Sequence, residues 1–290
     1  MIDRSALLAK PGKAIDLAGY DPASTGAFKA KNDARKKLRS DLKQLSALQD
    51  VFYANRRYAL LVIFEGMDTA GKDGAVKHVM SGVNPQGVDV HSFKTPSTVE
   101  LAHDYLWRSE KTLPERGRIG ISNRSYYEEV CIVRVHEAVL AHEALPPEDV
   151  TPQIWSERFE DIVAFERHLL RNGTKIVKFF LNVSHEKQRE RLLARIDDPD
   201  KEWKLAASDI GERPFWNAYQ KAYQEILTKS STAEAPWYVI PADHKWFTRA
   251  AVADILVATL ESLRLSYPLP DAVRSAQFAK YREDLVGAGC

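Results

Sequence analysis

The sequence predicts a three-layer α/β/α fold built around a five-stranded parallel sheet. Its first strand is Ala59–Glu65, a continuous apolar run that stops at a glycine, which is typical of a strand covered by helices on both faces. Four more strand candidates follow, at residues 88–93, 118–123, 174–183 and 237–240. Helical periodicity separates them, and strands that alternate with helices form right-handed βαβ units. The carboxyl ends of the strands, and any ligand, should therefore meet at one edge of the sheet.

The composition indicates a globular protein with no overall electrostatic preference. The 290 residues include 41 Lys and Arg against 40 Asp and Glu, and 44% are hydrophobic, whereas a nucleic-acid coat protein would be strongly basic. The longest apolar run is far too short to cross a bilayer, and residues 1–20 hold no segment of the signal-peptide kind. We therefore expect a cytoplasmic protein with no nucleic-acid or membrane partner, in which Cys131 and Cys290 stay reduced.

Three regions are expected along the chain. Residues 1–58 should form an N-terminal arm and a basic helix that packs on the core. From residue 29 onward, leucines recur at three- and four-residue steps while Lys and Arg fill the other faces. Residues 59–265 should form the core, and residues 266–290 a C-terminal tail.

A lid is predicted within the core region, at about residues 184–231. This segment is helical, charged and aromatic, and it is longer than a crossover between two strands needs. Aromatic residues at helical spacing usually face a core. We therefore expect Trp203, Trp216 and Tyr219 to pack inside the lid rather than to stack on a base.

A single helix is predicted after the second strand. Ser97 and Glu100 stand at the spacing of an N-terminal capping box. Leu101, Tyr105 and Leu106 continue a helical pattern beyond it. The helix should therefore run through Leu106.

The most specific feature is a glycine-rich turn directly after the first strand. Residues 66–74 read Gly-Met-Asp-Thr-Ala-Gly-Lys-Asp-Gly and match the G-x-x-x-x-G-K phosphate-binding pattern between a strand and a helix. Backbone N–H groups in such a turn converge on an anion, the helix N-terminus adds positive charge, and Lys72 can reach phosphate oxygens. The alternative is an ordinary glycine-rich turn with a solvated lysine.

One position of this turn departs from the usual pattern. Asp73 stands where a Ser or Thr hydroxyl normally holds Mg²⁺. Asp68 can take over this role, because Mg²⁺ prefers hard oxygen ligands that it shares with substrate phosphates. Asp68 can equally cap the following turn, and the two roles are compatible.

A second group of polar residues follows the third strand, as Asn-Arg-Ser-Tyr-Tyr-Glu-Glu at residues 123–129. In P-loop enzymes this strand end lies beside the phosphate turn and normally supplies an acidic metal ligand. Here the first polar side chain is Asn123, and the carboxylates come later, at Glu128 and Glu129. Arg124 is a candidate for neutralising the charge of a transferred group, the alternative being a surface arginine in a local ion pair.

Several motifs in the same order resemble the polyphosphate kinase 2 family over residues 33–265. They are residues 66–74, Val-Asn-Pro-Gln-Gly at 83–87 with Ser-Phe-Lys-Thr-Pro at 92–96, Asn-Arg-Ser-Tyr-Tyr-Glu at 123–128, and Trp203-Lys204 followed by Asp209 and Arg213. The tyrosines and glutamates after Arg124 resemble the class III branch.

The resemblance implies a P-loop kinase-like core with a helical lid. It also implies a reversible, Mg²⁺-dependent transfer of the terminal phosphoryl group of inorganic polyphosphate to nucleoside mono- and diphosphates. The acceptors would be AMP and ADP, and also GMP and GDP. A homo-oligomer, either a dimer or a tetramer, is implied as well.

The resemblance further assigns roles to individual residues. Asp68 and Glu128 would bind Mg²⁺, with Mn²⁺ as an alternative ion, and the catalytic set would be Asp68, Lys72, Arg124 and Arg213. The attacking atom would be an already ionised phosphate oxygen, so no general base is needed. The residues expected to bind phosphate or nucleotide are Gly66, Met67, Asp68, Thr69, Ala70, Gly71, Lys72, Asp73, Asn123, Arg124, Lys204 and Arg213.

The basic helix bears on the identity of the donor. A long polyanion needs cations beyond the cleft, whereas a single triphosphate does not. The expected polyphosphate track is formed by Lys36, Lys37, Arg39, Arg56 and Arg57. A charged helix face can also be merely solvated. Two other functions therefore stay open: an ATP-dependent nucleotide kinase of thymidylate-kinase-like fold, and a non-catalytic polyanion or nucleic-acid binder.

Overall fold

A central sheet orders the molecule, and its strands are β1 (Ala59–Glu65), β2 (Val88–Ser92), β3 (Ile119–Asn123), β4 (Thr174–Asn182) and β5 (Trp237–Pro241). In the computed structural model, which describes residues 2–287, they lie parallel in the order β2-β3-β1-β4-β5. The central strand β1 is buried along its whole length, as its apolar sequence requires. The predicted α/β class with five parallel strands is confirmed.

Helices cover both faces of this sheet. In chain order they are α1 (Arg4–Leu7), α2 (Lys31–Asn55), α3 (Lys72–Val79), α4 (Thr98–Leu101), α5 (Trp107–Glu110), α6 (Ile132–Val135), α7 (Ile154–Arg171), α8 (His185–Ile196), α9 (Pro199–Glu202), α10 (Ala207–Gly211), α11 (Trp216–Ser230), α12 (Lys245–Ser262) and α13 (Ala272–Gly287). On one side α12 packs against α2, α3 and β5. On the other side α7 packs against β4 and α11. These layers bury the two faces of the sheet.

The helix predicted after β2 is broken, so that prediction was wrong. The capping box forms as expected, with the Ser97 backbone N–H donating to Glu100 Oε2 at 2.7 Å. However, α4 ends at Leu101, and the Asp104 side chain then accepts a hydrogen bond from the Leu106 backbone N–H at 2.9 Å. Because this side-chain bond competes with the helical ladder, it starts a new turn that leads into α5.

The N-terminal arm covers the outer edge of the sheet. The Ala9 backbone N–H donates to the Trp237 carbonyl oxygen at 2.9 Å, and Leu8 forms an antiparallel bridge with Tyr238. Arg4 Nε binds Asp254 Oδ2 on α12 at 2.6 Å. The arm therefore satisfies backbone groups that β5 would otherwise expose along its edge.

The two long helices α2 and α12 lie side by side in the same direction. Lys37 Nζ binds Asp254 Oδ1 and Gln44 Nε2 binds Glu261 Oε1, each at 2.5 Å. At the far end Asn55 Nδ2 donates to the Ser266 carbonyl oxygen at 2.7 Å. The amino ends of both helices therefore lie together, and so do their carboxyl ends.

Two expectations from the composition can be compared with the structure. Within residues 2–287, none of the helices combines the length and the apolar character that crossing a bilayer requires. Cys131 is a buried free thiol, and Cys290 lies outside the described residues. The cytoplasmic location stays a prediction.

Candidate active site

The glycine-rich turn links the carboxyl end of β1 to the start of α3. Gly66 has a φ of +145°, and a Cβ added there would lie 2.8 Å from the Leu181 carbonyl oxygen on β4. Gly71 precedes α3 in the left-handed conformation, with a φ of +106°. Both positions need glycine, because a side chain would clash or strain the backbone there. The turn has the strand–turn–helix geometry that the sequence predicts.

Lys72 is the first residue of α3, and its ammonium group points back over the turn. Nζ donates a hydrogen bond to the Gly66 carbonyl oxygen at 2.5 Å. Burial lowers the pKa of Lys72, and so does the nearby Arg124 guanidinium, while the carboxylate of Asp68 acts in the opposite sense. An anion in the cleft would raise the pKa of Lys72, as Asp68 does, and would favour the charged ammonium form.

The two departures from the usual P-loop pattern are hydrogen-bonded to each other. Asn123, at the end of β3, donates from Nδ2 to Asp73 Oδ1 at 2.5 Å. β3 is the neighbour of β1, so its carboxyl end lies beside the turn. An amide–carboxylate pair thus links the turn to β3, and a carboxylate at position 123 would repel Asp73 at this distance.

Arg124 follows Asn123 and bridges two carboxylates. Its Nη2 donates to Asp68 Oδ1 at 2.7 Å, and its Nη1 donates to Glu128 Oε2 at 3.1 Å. These anions, Glu128 first, raise the pKa of Arg124 above its ordinary value. The residue has a φ of +65°, a conformation that costs energy for a side chain of this size. Its neighbours must therefore hold it in place.

A buried network fixes the turn that follows Arg124. The hydroxyl groups of Tyr126 and Tyr127 both donate to Glu166 Oε1, at 2.9 and 2.8 Å. Lys178 Nζ binds Glu166 Oε2 at 2.6 Å and the Ser230 carbonyl oxygen at 2.8 Å. Burial raises the pKa of both tyrosines well above its usual value, so their hydroxyl groups stay protonated and act as donors. The two tyrosines of the motif thus anchor the backbone beside Arg124.

Glu129 faces away from the cleft, on the far side of the same turn. Arg158 Nη1 donates to its Oε2 at 3.0 Å. Burial, together with the Glu143 carboxylate, raises the pKa of Glu129 to about 7. This side chain therefore ties the turn to α7 and does not reach the cleft.

A cleft of about 790 Å³ opens above the turn, and its charge is strongly positive. Nine cationic side chains line it against three carboxylates, Asp68, Asp73 and Asp209. The cations are Lys72, Lys94, Arg124, Arg191, Arg195, Lys201, Lys204, Lys245 and Arg249. A cleft with this imbalance attracts polyanions and concentrates them near the turn.

Several of these cations were not predicted as site residues. Arg191, on α8, donates to the carbonyl oxygens of Thr69 and Ala242, at 2.9 and 2.6 Å, and so ties the turn to the end of β5. Lys245 and Arg249 lie in the first turns of α12, directly after β5. Lys245 follows the last strand, at the carboxyl edge of the sheet where ligands of parallel sheets bind.

Most of the predicted site residues lie together at the cleft, and a few do not. Residues 68–73, Asn123, Arg124 and Lys204 line it, next to the backbone of Gly66 and the buried Met67. Glu128 is only 8% exposed and does not line the cleft. Its carboxylate instead holds Arg124, so the structure does not place it where a metal shared with substrate would lie.

Arg213 does not line the cleft, and two hydrogen bonds through Gln188 connect it to Asp68 in the cleft wall. Its Nη1 donates to Gln188 Oε1 at 2.7 Å, and Gln188 Nε2 donates to the Asp68 carbonyl oxygen at 3.3 Å. Residues 197–215 around it are largely exposed, with Asp209 buried among them. α11 instead packs into the core, although it falls within the predicted lid.

The packing predicted for three aromatic residues holds in part. Tyr219 is buried, and Trp216 packs against the His185 ring in a tilted arrangement, with centroids 4.7 Å apart. Trp203 is 78% exposed, so the prediction that it packs inside the lid was wrong. The short helices α9 and α10 do not enclose a core that could cover an indole ring.

The predicted polyphosphate track is not one surface. Lys37 is engaged by two buried carboxylates, Asp41 and Asp254, each at 2.5 Å. Arg56 and Arg57 stand at the carboxyl end of α2, which leads directly into the amino end of β1. They therefore lie at the edge of the sheet opposite to the cleft.

The carboxylates at the cleft suit a metal ion that is shared with a substrate. Among residues 2–287, no group of three or more His, Cys, Asp or Glu side chains lies close enough together to form a metal site. Mg²⁺ commonly binds one or two protein carboxylates, with waters and substrate phosphates completing its shell. Asp68 lines the cleft beside Lys72 and Arg124 and fits this kind of site.

The fold and the site together define a P-loop phosphotransferase of the nucleotide kinase type: the turn, its lysine and the cationic cleft all meet at the carboxyl edge of a parallel sheet. A family model described as polyphosphate kinase 2 (PPK2) matches residues 28–266. The chain belongs to the polyphosphate kinase 2 family. The resemblance predicted from the motifs is confirmed.

Similar proteins carry related names. A protein of Rhodopseudomonas palustris named ADP-polyphosphate phosphotransferase is 46% identical over 276 residues, which cover 95% of this chain and 96% of that protein. The AMP/ADP-polyphosphate phosphotransferase of Meiothermus ruber is 42% identical and covers 90% of this chain and 94% of its own length. The crystal structure of polyphosphate kinase 2 from Arthrobacter aurescens TC1 is 38% identical, has a TM-score of 0.85, and covers 95% of this chain and 98% of its own.

Proposed function

We propose that this enzyme transfers the terminal phosphoryl group of inorganic polyphosphate to nucleoside mono- and diphosphates, in a reversible reaction. The observation that carries the proposal is the P-loop cleft, in which nine cations face three carboxylates. Donor and acceptor are both polyanions, so binding them together needs an excess of positive charge. The names of the two relatives favour polyphosphate as donor and AMP or ADP as acceptor.

Catalysis in this proposal rests on position and charge rather than on proton transfer. The attacking oxygen belongs to the acceptor phosphate and is already ionised near neutral pH. Lys72 and Arg124 lie at the floor of the cleft, where they would offset the charge on the transferring group. Asp68 and Glu128 hold the Arg124 guanidinium from two sides, which keeps it oriented before a substrate arrives.

The cofactor in this proposal is Mg²⁺, with Mn²⁺ as an alternative. Asp68 would hold the ion, which supplies positive charge between phosphate oxygens when it is bound. Glu128 would act through Arg124. Residues 197–215 would form the mobile part of the predicted lid, and its closure would bring Arg213 and Lys204 towards the transferring group.

The first test is a survey of donors and acceptors. The protein should form ATP from ADP, long-chain polyphosphate and Mg²⁺, and it should also phosphorylate AMP, GMP and GDP. A chelator should stop the reaction, and added Mg²⁺ should restore it. Product formation is measured by chromatography of the nucleotides.

The same survey separates the alternatives. If AMP is phosphorylated as fast with ATP as the donor as with polyphosphate, an ATP-dependent nucleotide kinase is the better description. If polyphosphate binds but no nucleoside mono- or diphosphate is phosphorylated, the chain is a non-catalytic polyanion binder.

A second test concerns the polyphosphate track, which we propose to be limited to the exposed residues Lys36 and Arg39. They lie on the half of α2 nearer to Lys245 and Arg249. Replacing both by alanine should raise KM for long chains more than for short ones, because only a long chain extends beyond the cleft.

The matched control removes two charges from the same helix at its other end. Arg56→Ala/Arg57→Ala should leave KM unchanged for both chain lengths, because these residues lie at the opposite edge of the sheet. Equal effects of the Lys36 and Arg39 changes on long and short chains would remove the track from the proposal.

A further inference from the structure

The C-terminal helix α13 makes no buried contact with the described part of the chain. Every residue from 266 to 287 is exposed, although α13 is sixteen residues long. Its start is encoded locally, since Asp271 Oδ1 accepts a hydrogen bond from the Arg274 backbone N–H at 2.8 Å. A helix of this length is marginal in water unless one of its faces packs on something. We therefore expect α13 to be stabilised by packing against another surface.

One face of α13 has the pattern of a helix that packs on another helix. Phe278, Tyr281 and Leu285 are 47%, 55% and 77% exposed. Together with Arg274 they follow one another at steps of four, three and four residues, which is the heptad spacing of a coiled-coil seam. The Arg274 guanidinium lies over the Phe278 ring, 5.4 Å from its centroid, so its side chain belongs to the same stripe.

We propose that this seam pairs with the α13 helix of a second copy of the chain, and that the two helices run antiparallel. A parallel pair would place Arg274 against the partner's Arg274 inside the seam, where like charges repel. The seam spacing is symmetric, so an antiparallel pair aligns Phe278 with the partner's Tyr281. Arg274 then lies beside the partner's Leu285 and Asp284, which replaces a repulsion by an attraction.

The residues that flank the seam agree with this orientation. In an antiparallel pair Gln277 comes close to the partner's Asp284, and Ser275 comes close to the partner's Arg282. Neither pairing joins like charges, and the opposed helix dipoles add a small favourable contribution. The proposal is independent of the proposed function, because α13 lies outside the cleft.

The competing occupant is the chain itself. A groove of about 210 Å³ lies between the carboxyl ends of α2 and α12 and is lined by Leu48, Val51, Leu260 and Leu265 among others. α13 does not pack on this groove, because every residue from 266 to 287 is exposed and none of them lines it. Folding back onto it would bury the seam without a second copy. The oligomeric state decides between the two.

The first experiment measures the mass of the whole protein by light scattering over a range of concentrations. Two helices of about 24 Å each bury less surface than a standard interface, so we expect the mass to rise with concentration. Leu285→Glu should halve the limiting mass. The control Val273→Glu changes an equally exposed apolar residue that lies off the seam, and it should leave the mass unchanged. A wild-type mass of one chain, or no effect of Leu285→Glu, would overturn the proposal.

The second experiment tests the orientation by cross-linking. Phe278→Cys and Tyr281→Cys are made separately, each with Cys290→Ser so that Cys131, which is buried, is the remaining native thiol. Mixed and oxidised, the two variants should form a disulfide between unlike chains, whereas each variant alone should cross-link poorly. Cross-links that form as well between like chains, or that form in no combination, would contradict the antiparallel pair.

Discussion

Replacing Lys72 by alanine should lower kcat of phosphoryl transfer by at least about 100-fold, the loss typical of removing one group that stabilises charge in a transition state. The ammonium group lies at the floor of the cleft, 2.5 Å from the Gly66 carbonyl oxygen. The other cations of the cleft remain in the variant, so binding of the polyanions should suffer less than turnover. The measurement is the initial rate of ATP formation from polyphosphate and ADP at several concentrations of each.

The matched control for this change is Lys77→Ala. Lys77 stands on the same helix, is exposed and does not line the cleft. Its loss should leave both kcat and KM at their wild-type values. Turnover close to normal in Lys72→Ala, with the fold intact by circular dichroism, would place the chemistry elsewhere than in this cleft.

The sheet could be predicted from the sequence because each of its strands carries a local signal. The run at 59–65 is continuous, apolar and buried on both faces, so it leaves no alternation to misread. The edge strand β2 instead alternates valine with polar residues and is only partly buried, which is the pattern of a strand with one open face. The helix after β2 was harder to predict. Its break depends on whether the Asp104 side chain or the helical ladder binds the Leu106 backbone N–H, a difference of one hydrogen bond.

Some residues of the candidate site could be predicted from the sequence, and others could not. The phosphate turn and residues 123–124 follow strand ends, so a motif and a strand order suffice to bring them together. Arg191 and Arg249 come from helices far beyond the phosphate turn along the chain, and only the packed fold places them at the cleft. The predicted polyphosphate track includes two residues, Arg56 and Arg57, that do not lie at the cleft. They stand between α2 and the start of β1, so they must lie at the amino edge of the sheet. The order of the two elements in the sequence already implies this position.

The buried pair of Lys178 and Glu166 should be the most sensitive point of the fold. Both side chains are almost fully excluded from solvent, and their charged atoms lie 2.6 Å apart. Burial lowers the pKa of Lys178, and the Glu166 carboxylate counteracts this. Lys178→Met should lower the free energy of unfolding by about 3–5 kcal/mol, because it leaves a carboxylate buried without its counter-charge. Urea denaturation of the variant and the wild type measures the difference.

The double variant Lys178→Met/Glu166→Gln separates the cost of an unpaired charge from the value of the pair. The amide oxygen introduced by Glu166→Gln would still accept hydrogen bonds from Tyr126 and Tyr127, and no charge would remain buried, so most of the lost stability should return. Arg189→Met removes one partner of an exposed ion pair with Glu186 and should have no measurable effect. If the double variant is as unstable as the single one, the lysine acts through its packing instead. The same tyrosines anchor the turn beside Arg124, so Lys178→Met should lower kcat as well as stability, and the double variant should regain both. If the double variant regains stability but not kcat, the pair has a purely structural role.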